Sequence, residues 1–151
     1  MTGVPASAIV REMRALLGVP FKHQGRDEHG VDCIGVVLLA CRRAGVDLLA
    51  LRGIRDDRNY GRGVNPRAVE LLETYCAARI DSPVPGCLVV FQFLGEPAPR
   101  HQGVMTDAGT FIHANGEGPK HLHRVVETGF RGAWVRRAHS FWKLPGFDYG
   151  A

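Results

Sequence analysis

The chain has 151 residues, 45% of them hydrophobic and 23% charged, which allows one buried core and excludes a disordered or fibrous chain. Its net charge of +4 is spread thinly, with Arg42-Arg43 and Arg136-Arg137 only as pairs, so no nucleic-acid partner is expected, while an anionic polymer suits the balance. No apolar run has the length of a membrane span, and MTGVPASAIVREMRALLG lacks the basic segment and unbroken apolar core of a secretory signal, so synthesis into the cytoplasm is expected.

The spacing of Ile9, Val10, Met13, Leu16 and Leu17 predicts a helix over Pro5 to Leu17, stopped by Gly18 and Pro20. A loop rich in Gly and His, from Phe21 to Val31, follows. Asp32 then reads as the N-cap of a second helix, Cys33 to about Arg43, ended by Gly45. Leu51 to Gly63 is polar, punctuated by glycine and aperiodic, so a surface loop is expected. Asn65-Pro66 opens a third predicted helix with Ala68, Leu71, Leu72 and Tyr75 on its apolar face. From Pro83 the pattern changes to short strands: Cys87 to Leu94, a hairpin of His101 to Thr106 and Thr110 to Ala114 turned at Asp107-Ala108-Gly109, and Leu122 to Glu127. Phe130 to Arg137 reads as a short helix and His139 to Leu144 as a last strand. Helices first and antiparallel strands second predict an α+β fold in a single domain over residues 1–151.

Cysteines lie at Cys33, Cys41, Cys76 and Cys87, with no CxxC pair, so a zinc knuckle or thioredoxin-type motif is not expected. Cys41, Cys76 and Cys87 read as core residues. Cys33 is different, because it opens a helix, where unpaired N–H groups and the helix dipole favour a thiolate. Amide hydrolysis by a thiol also needs a base, a group that orients it and an oxyanion donor. His101 begins one strand of the predicted hairpin and His113 ends the other, so antiparallel pairing brings them to one end of the sheet. His101 is then the candidate base and His113 its orienting partner, with Asn115 a competitor for that place. The Cys33 N–H is the first oxyanion donor.

The stretches PFKHQGRDEHGVDCIGVV and HQGVMTDAGTFIHA resemble the NlpC-type cell-wall peptidases, a papain-like family, over roughly Val10 to Leu144. The resemblance implies a papain-like fold: N-terminal helices carrying the cysteine, packed on a C-terminal antiparallel sheet carrying the histidine pair. It assigns Cys33 as nucleophile, His101 as catalytic histidine and His113 as the third, polar member. It implies cleavage of an amide bond in peptidoglycan stem peptides, typically between D-γ-glutamate and a diamino acid, with no cofactor. The His23 to Arg26 stretch, HQGR, is most similar to the phage-tail and prophage branch, which makes phage tail proteins the expected partners and the cell wall the site of action.

Against the family pattern, Ile34 stands where many members have Ser, Phe21 where they have Tyr, and Gln24-Gly25 where they have Gly-Gly. Oxyanion or substrate binding is therefore assigned to the Phe21 to Gly25 loop, with His23 or Gln24 replacing the missing hydroxyl, and to Arg26, which with Arg62 could meet substrate carboxylates. His121 and His123 form an HxH pair that on one strand face would suit a metal, with His113 as a third ligand for zinc, but no metal is expected there. Trp134 and Trp142 read as core or groove wall. An acyl- or amidotransferase on the same scaffold is the first alternative. A wall-binding or tail-assembly module whose chemistry has lapsed is the second, and Phe21 and Ile34 point to it.

Overall fold

The computed structural model describes residues 3–53, 56 and 78–150. Within them, α1 (Ala6–Ala15) and α2 (Cys33–Arg43) precede a six-stranded antiparallel sheet. Its strands are β4 (Ala78–Ile80), β5 (Leu88–Phe91), β6 (His101–Met105), β7 (Thr110–Ala114), β8 (Val125–Gly129) and β9 (Ala138–Lys143), in the order β4-β9-β5-β6-β7-β8. Two small pairs complete the set: β2 (Arg26–Asp27) with β3 (Gly30–Val31), antiparallel, and β1 (Val4–Pro5) with β10 (Phe147–Asp148), parallel. Short helices α3 (Leu48–Arg52) and α4 (Ala133–Arg137) lie before and within the sheet region. This is the α+β, papain-like arrangement expected of the chain. No helix among the described residues is long and apolar enough to cross a membrane.

Strand alternation divides the apolar residues between the two faces of the sheet. Leu88, Val90, Val104, Ile112 and Ala114 face α1 and α2, where Ile9, Met13, Val36 and Leu39 join them in the larger core. Cys87, Val89, Phe91, Met105 and Phe111 face the other way and are covered by Trp134, Phe130 and Phe141. Cys41 and Cys87 are buried thiols, one in each layer.

The predicted α1, α2, hairpin and last strand stand within a few residues of the observed elements. Other boundaries differ. The loop over Phe21 to Val31 contains the β2–β3 hairpin, whose two-residue strands are too short to leave a periodic pattern. The strand expected over Cys87 to Leu94 stops at Phe91, because the register shifts at Val90/Phe91 and the Gln92 N–H turns to the Arg137 carbonyl. The strand expected over Leu122 to Glu127 begins at Val125, after one turn of 3-10 helix at Lys120–Leu122. Leu51 and Arg52 end α3 rather than opening a loop, with Gly53 at φ +65° as its left-handed stop. The remainder of that loop except Asp56, together with the Asn65 helix, Arg62 and Cys76, lies outside the described residues.

One contact fixes where α2 starts. The backbone of Gly25 lies against Gly35, close enough that a Cβ on Gly35 would run into the Gly25 carbonyl oxygen. Backbone on both sides leaves little to yield. Gly35→Ala is therefore expected to cost about 3 kcal/mol or more, lowering the melting temperature by roughly 6 to 12 °C. Thermal unfolding followed by circular dichroism checks this, and an unchanged midpoint would refute the close approach.

Candidate active site

Asp32 builds the site. As N-cap of α2 its Oδ1 accepts from the N–H groups of Ile34 at 3.1 Å and Gly35 at 2.7 Å. The same buried carboxylate accepts from the Gln24 N–H at 2.9 Å and from Arg26 Nη1 at 3.0 Å. The first helical bond, from the Val36 N–H to the Asp32 carbonyl, takes the next donor. The Cys33 N–H is thereby left without a bond to another residue among the described residues and lies beside its own sulfur.

Cys33 meets the sheet where β6 begins. Its Sγ lies 4.0 Å from the Arg100 carbonyl oxygen, and the Gln102 side-chain amide donates to the Cys33 carbonyl at 3.2 Å. These contacts bracket His101. His101 Nε2 lies 2.7 Å from His113 Nδ1, and His113 Nε2 lies 3.0 Å from Thr128 Oγ1 on β8. His101 Nδ1 makes no hydrogen bond among the described residues. One set of tautomers lets Nδ1 receive a proton: His101 donates from Nε2 to His113 Nδ1, and His113 donates from Nε2 to Thr128. The strand register explains the meeting. His101, Gly103 and His113 share one sheet face, and a Cβ on Gly103 would stand 3.1 Å from His113 Cβ and 2.8 Å from the Ile112 carbonyl oxygen. Only glycine leaves the His113 ring this room.

Trp134 packs on both imidazoles, with ring centres 6.4 Å from His101 and 5.4 Å from His113. Phe91 stacks on His101 at 6.0 Å. This apolar cover sets the charge state. Burial, then the neighbouring His113 and Arg100, pushes His101 well below its ordinary value, and burial lowers His113 to about 4. Both rings are neutral near pH 7.

Cys33 departs from expectation. Burial raises its thiol to about 12, and the Asp32 carboxylate adds to the rise; the Gln102 and Cys33 N–H groups and Arg26 only partly offset them. The cap that organises the helix end also sets a negative charge beside the sulfur, against the helix dipole. At rest Cys33 is therefore a thiol and the His101 imidazole is neutral, rather than a preformed thiolate and imidazolium.

The loop residues assigned to substrate are used otherwise in part. The Arg26 side chain is buried, pairing with Asp32 at 3.0 Å and Asp56 at 3.0 Å, because the buried Asp32 and partly buried Asp56 carboxylates need a counter-charge there. Its charge is spent on these two partners, where the sequence assigns it to substrate carboxylates. The N–H groups of Phe21, Lys22, Gln24 and Gly25 go to His123, Val31, Asp32 and Lys22 respectively, so these four backbone donors are spent. Gln24 sits at φ +61°, a conformation that suits the glycine of the family pattern. Phe21 lies half-buried with its ring against Gly116, and His23 is half-buried beside it in the chain. Asn115 binds the carbonyls of Glu117 and Leu122, which leaves His113 as the partner of His101. His121 lies in the 3-10 turn and His123 binds the Gly118 carbonyl, so the two do not share a strand face. No group of three or more metal-ligating side chains is assembled among the described residues. Thr128 and Gln102 were not singled out in the sequence; both lie on strands, and only the register reveals them.

A model of the NlpC/P60 family matches residues 18–139. Solved structures with a similar fold include the NlpC/p60 domain of the peptidoglycan hydrolase SagA, at 19% identity and TM-score 0.58, covering 93% of this chain and 100% of that one. An NlpC/P60 family protein from Bacillus cereus has 16% identity and TM-score 0.65, with coverages of 97% and 41%. The peptidoglycan hydrolase RipB from Mycobacterium tuberculosis has 21% identity and TM-score 0.52, with coverages of 95% and 65%. The chain thus spans well under two thirds of the Bacillus cereus protein. No protein with a curated description matches in sequence.

Two measurements follow from the charge states. Alkylation of Cys33 by iodoacetamide is expected to rise with an inflection well above that of an ordinary thiol; a plateau reached below about pH 7 would instead indicate a thiolate–imidazolium pair. For His113 the folded value, about 4, lies below the ordinary 6.5, so the unfolded chain binds the extra proton between them. Stability is therefore expected to fall as pH drops from about 6.5 to about 4 and to level off below. His113→Asn, which keeps an acceptor for His101 and cannot titrate, should make the melting-temperature curve shallower. An unchanged slope would exclude His113 as its source.

Proposed function

This chain belongs to the NlpC/P60 family, and from that premise we propose that it is a cysteine peptidase that hydrolyses an amide bond of peptidoglycan stem peptides, residues 1–151 acting as one peptidase domain. The observation that carries the reading is the 2.7 Å His101–His113 hydrogen bond on the strand end that abuts Cys33. In the proposed reaction His101 Nδ1 takes the Cys33 proton as Sγ adds to the substrate carbonyl carbon. The developing oxyanion lies on the Cys33 N–H, which no other described residue takes, with a second donor from His23 or the Gln24 side chain. His101 then protonates the departing amine, and the acyl group stays on sulfur. A water molecule, deprotonated by His101, adds to the thioester; the carbon–sulfur bond breaks, the acid leaves, and His101 returns the proton to Cys33 Sγ. His113 keeps His101 in the tautomer that accepts at Nδ1.

A concerted proton transfer suits the raised thiol value: the thiolate need not exist before substrate arrives, because His101 removes the proton as the carbon–sulfur bond forms. We assign the D-γ-glutamyl–diamino acid bond as the one cut, on the family resemblance. The HQGR stretch extends the reading to action at the wall as part of a phage-like particle. The high thiol value and Phe21 favour one other reading, a wall-binding module without turnover.

Defined muropeptides incubated with the protein and with Cys33→Ala, followed by mass spectrometry, separate these. A product cut at the D-γ-glutamyl–diamino acid bond, absent with Cys33→Ala, is expected. Cleavage at another amide would revise the bond alone. Binding without cleavage of any stem peptide would put the wall-binding module in its place.

A further inference from the structure

Beside the histidine pair, two arginines share one aromatic ring. Arg100 Cζ stands 4.4 Å from the Phe93 ring centre, and Arg137 Cζ stands 5.3 Å from it. Their charges are handled differently. Arg100 is neutralised by Glu96, with both carboxylate oxygens 2.8 Å from Nε, and by Glu117 at 3.3 Å. Arg137 makes no ion pair among the described residues, yet its guanidinium is held against a second ring, Trp134, at 5.7 Å.

Both rings that hold Arg137 also touch the candidate base: Phe93 lies 6.1 Å and Trp134 6.4 Å from His101. A half-buried guanidinium stacked on two rings has lost much of its freedom before any ligand arrives, which lowers the entropy cost of binding an anion. Held there with no counter-charge among the described residues, its planar fork of N–H donors fits a carboxylate.

We infer that Arg137, braced by Phe93 and Trp134, is a specificity-determining residue that binds a carboxylate of the substrate next to the scissile amide. This rests on the peptidase reading above and deepens it. A γ-linked glutamyl residue keeps its α-carboxylate free beside the bond to be cut, and a diamino acid with two carboxyl groups offers a second. The chemistry of recognition is the same for both.

The test uses the whole chain, Arg137→Gln and Arg137→Lys on three peptides: the free acid, its glutamyl α-amide, and one with lysine in place of the dicarboxylic diamino acid. The unmodified protein is expected to lose about 10- to 100-fold in kcat/KM on one of the two altered peptides, the size of a charge-assisted pair. Which peptide loses identifies the carboxylate. Arg137→Gln is expected to lose the same factor on the free acid and to cut the sensitive altered peptide within about threefold of the unmodified protein. Arg137→Lys should recover part of the loss. If the unmodified protein cuts all three equally, or if Arg137→Gln keeps the full discrimination or slows every peptide alike, the subsite is wrong while the peptidase reading survives. If the unmodified protein cuts none, the peptidase reading itself falls, and the subsite with it.

Discussion

The buried carboxylate of Asp32 is the interaction on which the site depends. It ends the backbone of α2 with two N–H bonds, ties the Gln24 loop to the helix, and draws Arg26 inward with Asp56 as a second anchor. Each of these contacts alone is worth a modest amount, but together they set the position of the Cys33 N–H and sulfur. The same negative charge adds to the burial that holds the thiol protonated. Precision in placing the sulfur and ease of ionising it are therefore opposed at this position.

The sheet solves a complementary problem. Alternation along β6 and β7 sends Val104 and Ile112 toward the helices and sends His101, Gly103 and His113 to the opposite face, under Trp134. The imidazoles are thus dry and neutral, held in line with Thr128 by hydrogen bonds rather than by charge. A neutral acceptor chain of this kind orients the base without a carboxylate. The glycine at 103 is the local condition for it, because any side chain there would push His113 away.

Much of this was legible in the sequence, and for identifiable reasons. The α2 start could be read because an N-cap aspartate before an apolar helical run is a strong local signal, and the hairpin because its two strands are separated by Asp107-Ala108-Gly109. The pairing of His101 with His113 followed from those two elements and their register. What escaped was non-local. Arg26 read as a substrate-binding arginine because nothing nearby in sequence shows that Asp32 and Asp56 converge on it. The thiol's raised value could not be read either, since burial by the β6 strand end comes from residues far along the chain. Thr128 became visible only once β7 and β8 were paired, with Phe111 opposite it and His113 two residues along. Two-residue strands such as β1 and β10 carry too few positions for any period to appear.

That last pair joins Val4–Pro5 to Phe147–Asp148 and so closes a loop across nearly the whole described chain. Loop-closure entropy makes such a contact slow to form, and a ladder of two residues returns little for it. By contrast, β5, β6, β7 and β8 are neighbours both in sequence and in the sheet, with connections far shorter than the span from β1 to β10, which favours early assembly. The order of events this implies is a histidine-bearing meander first and the clasp of the two ends last. In the native state the sequence reverses: amide exchange would begin at the clasp, while the histidine pair, in the middle of the most local part of the fold, stays protected.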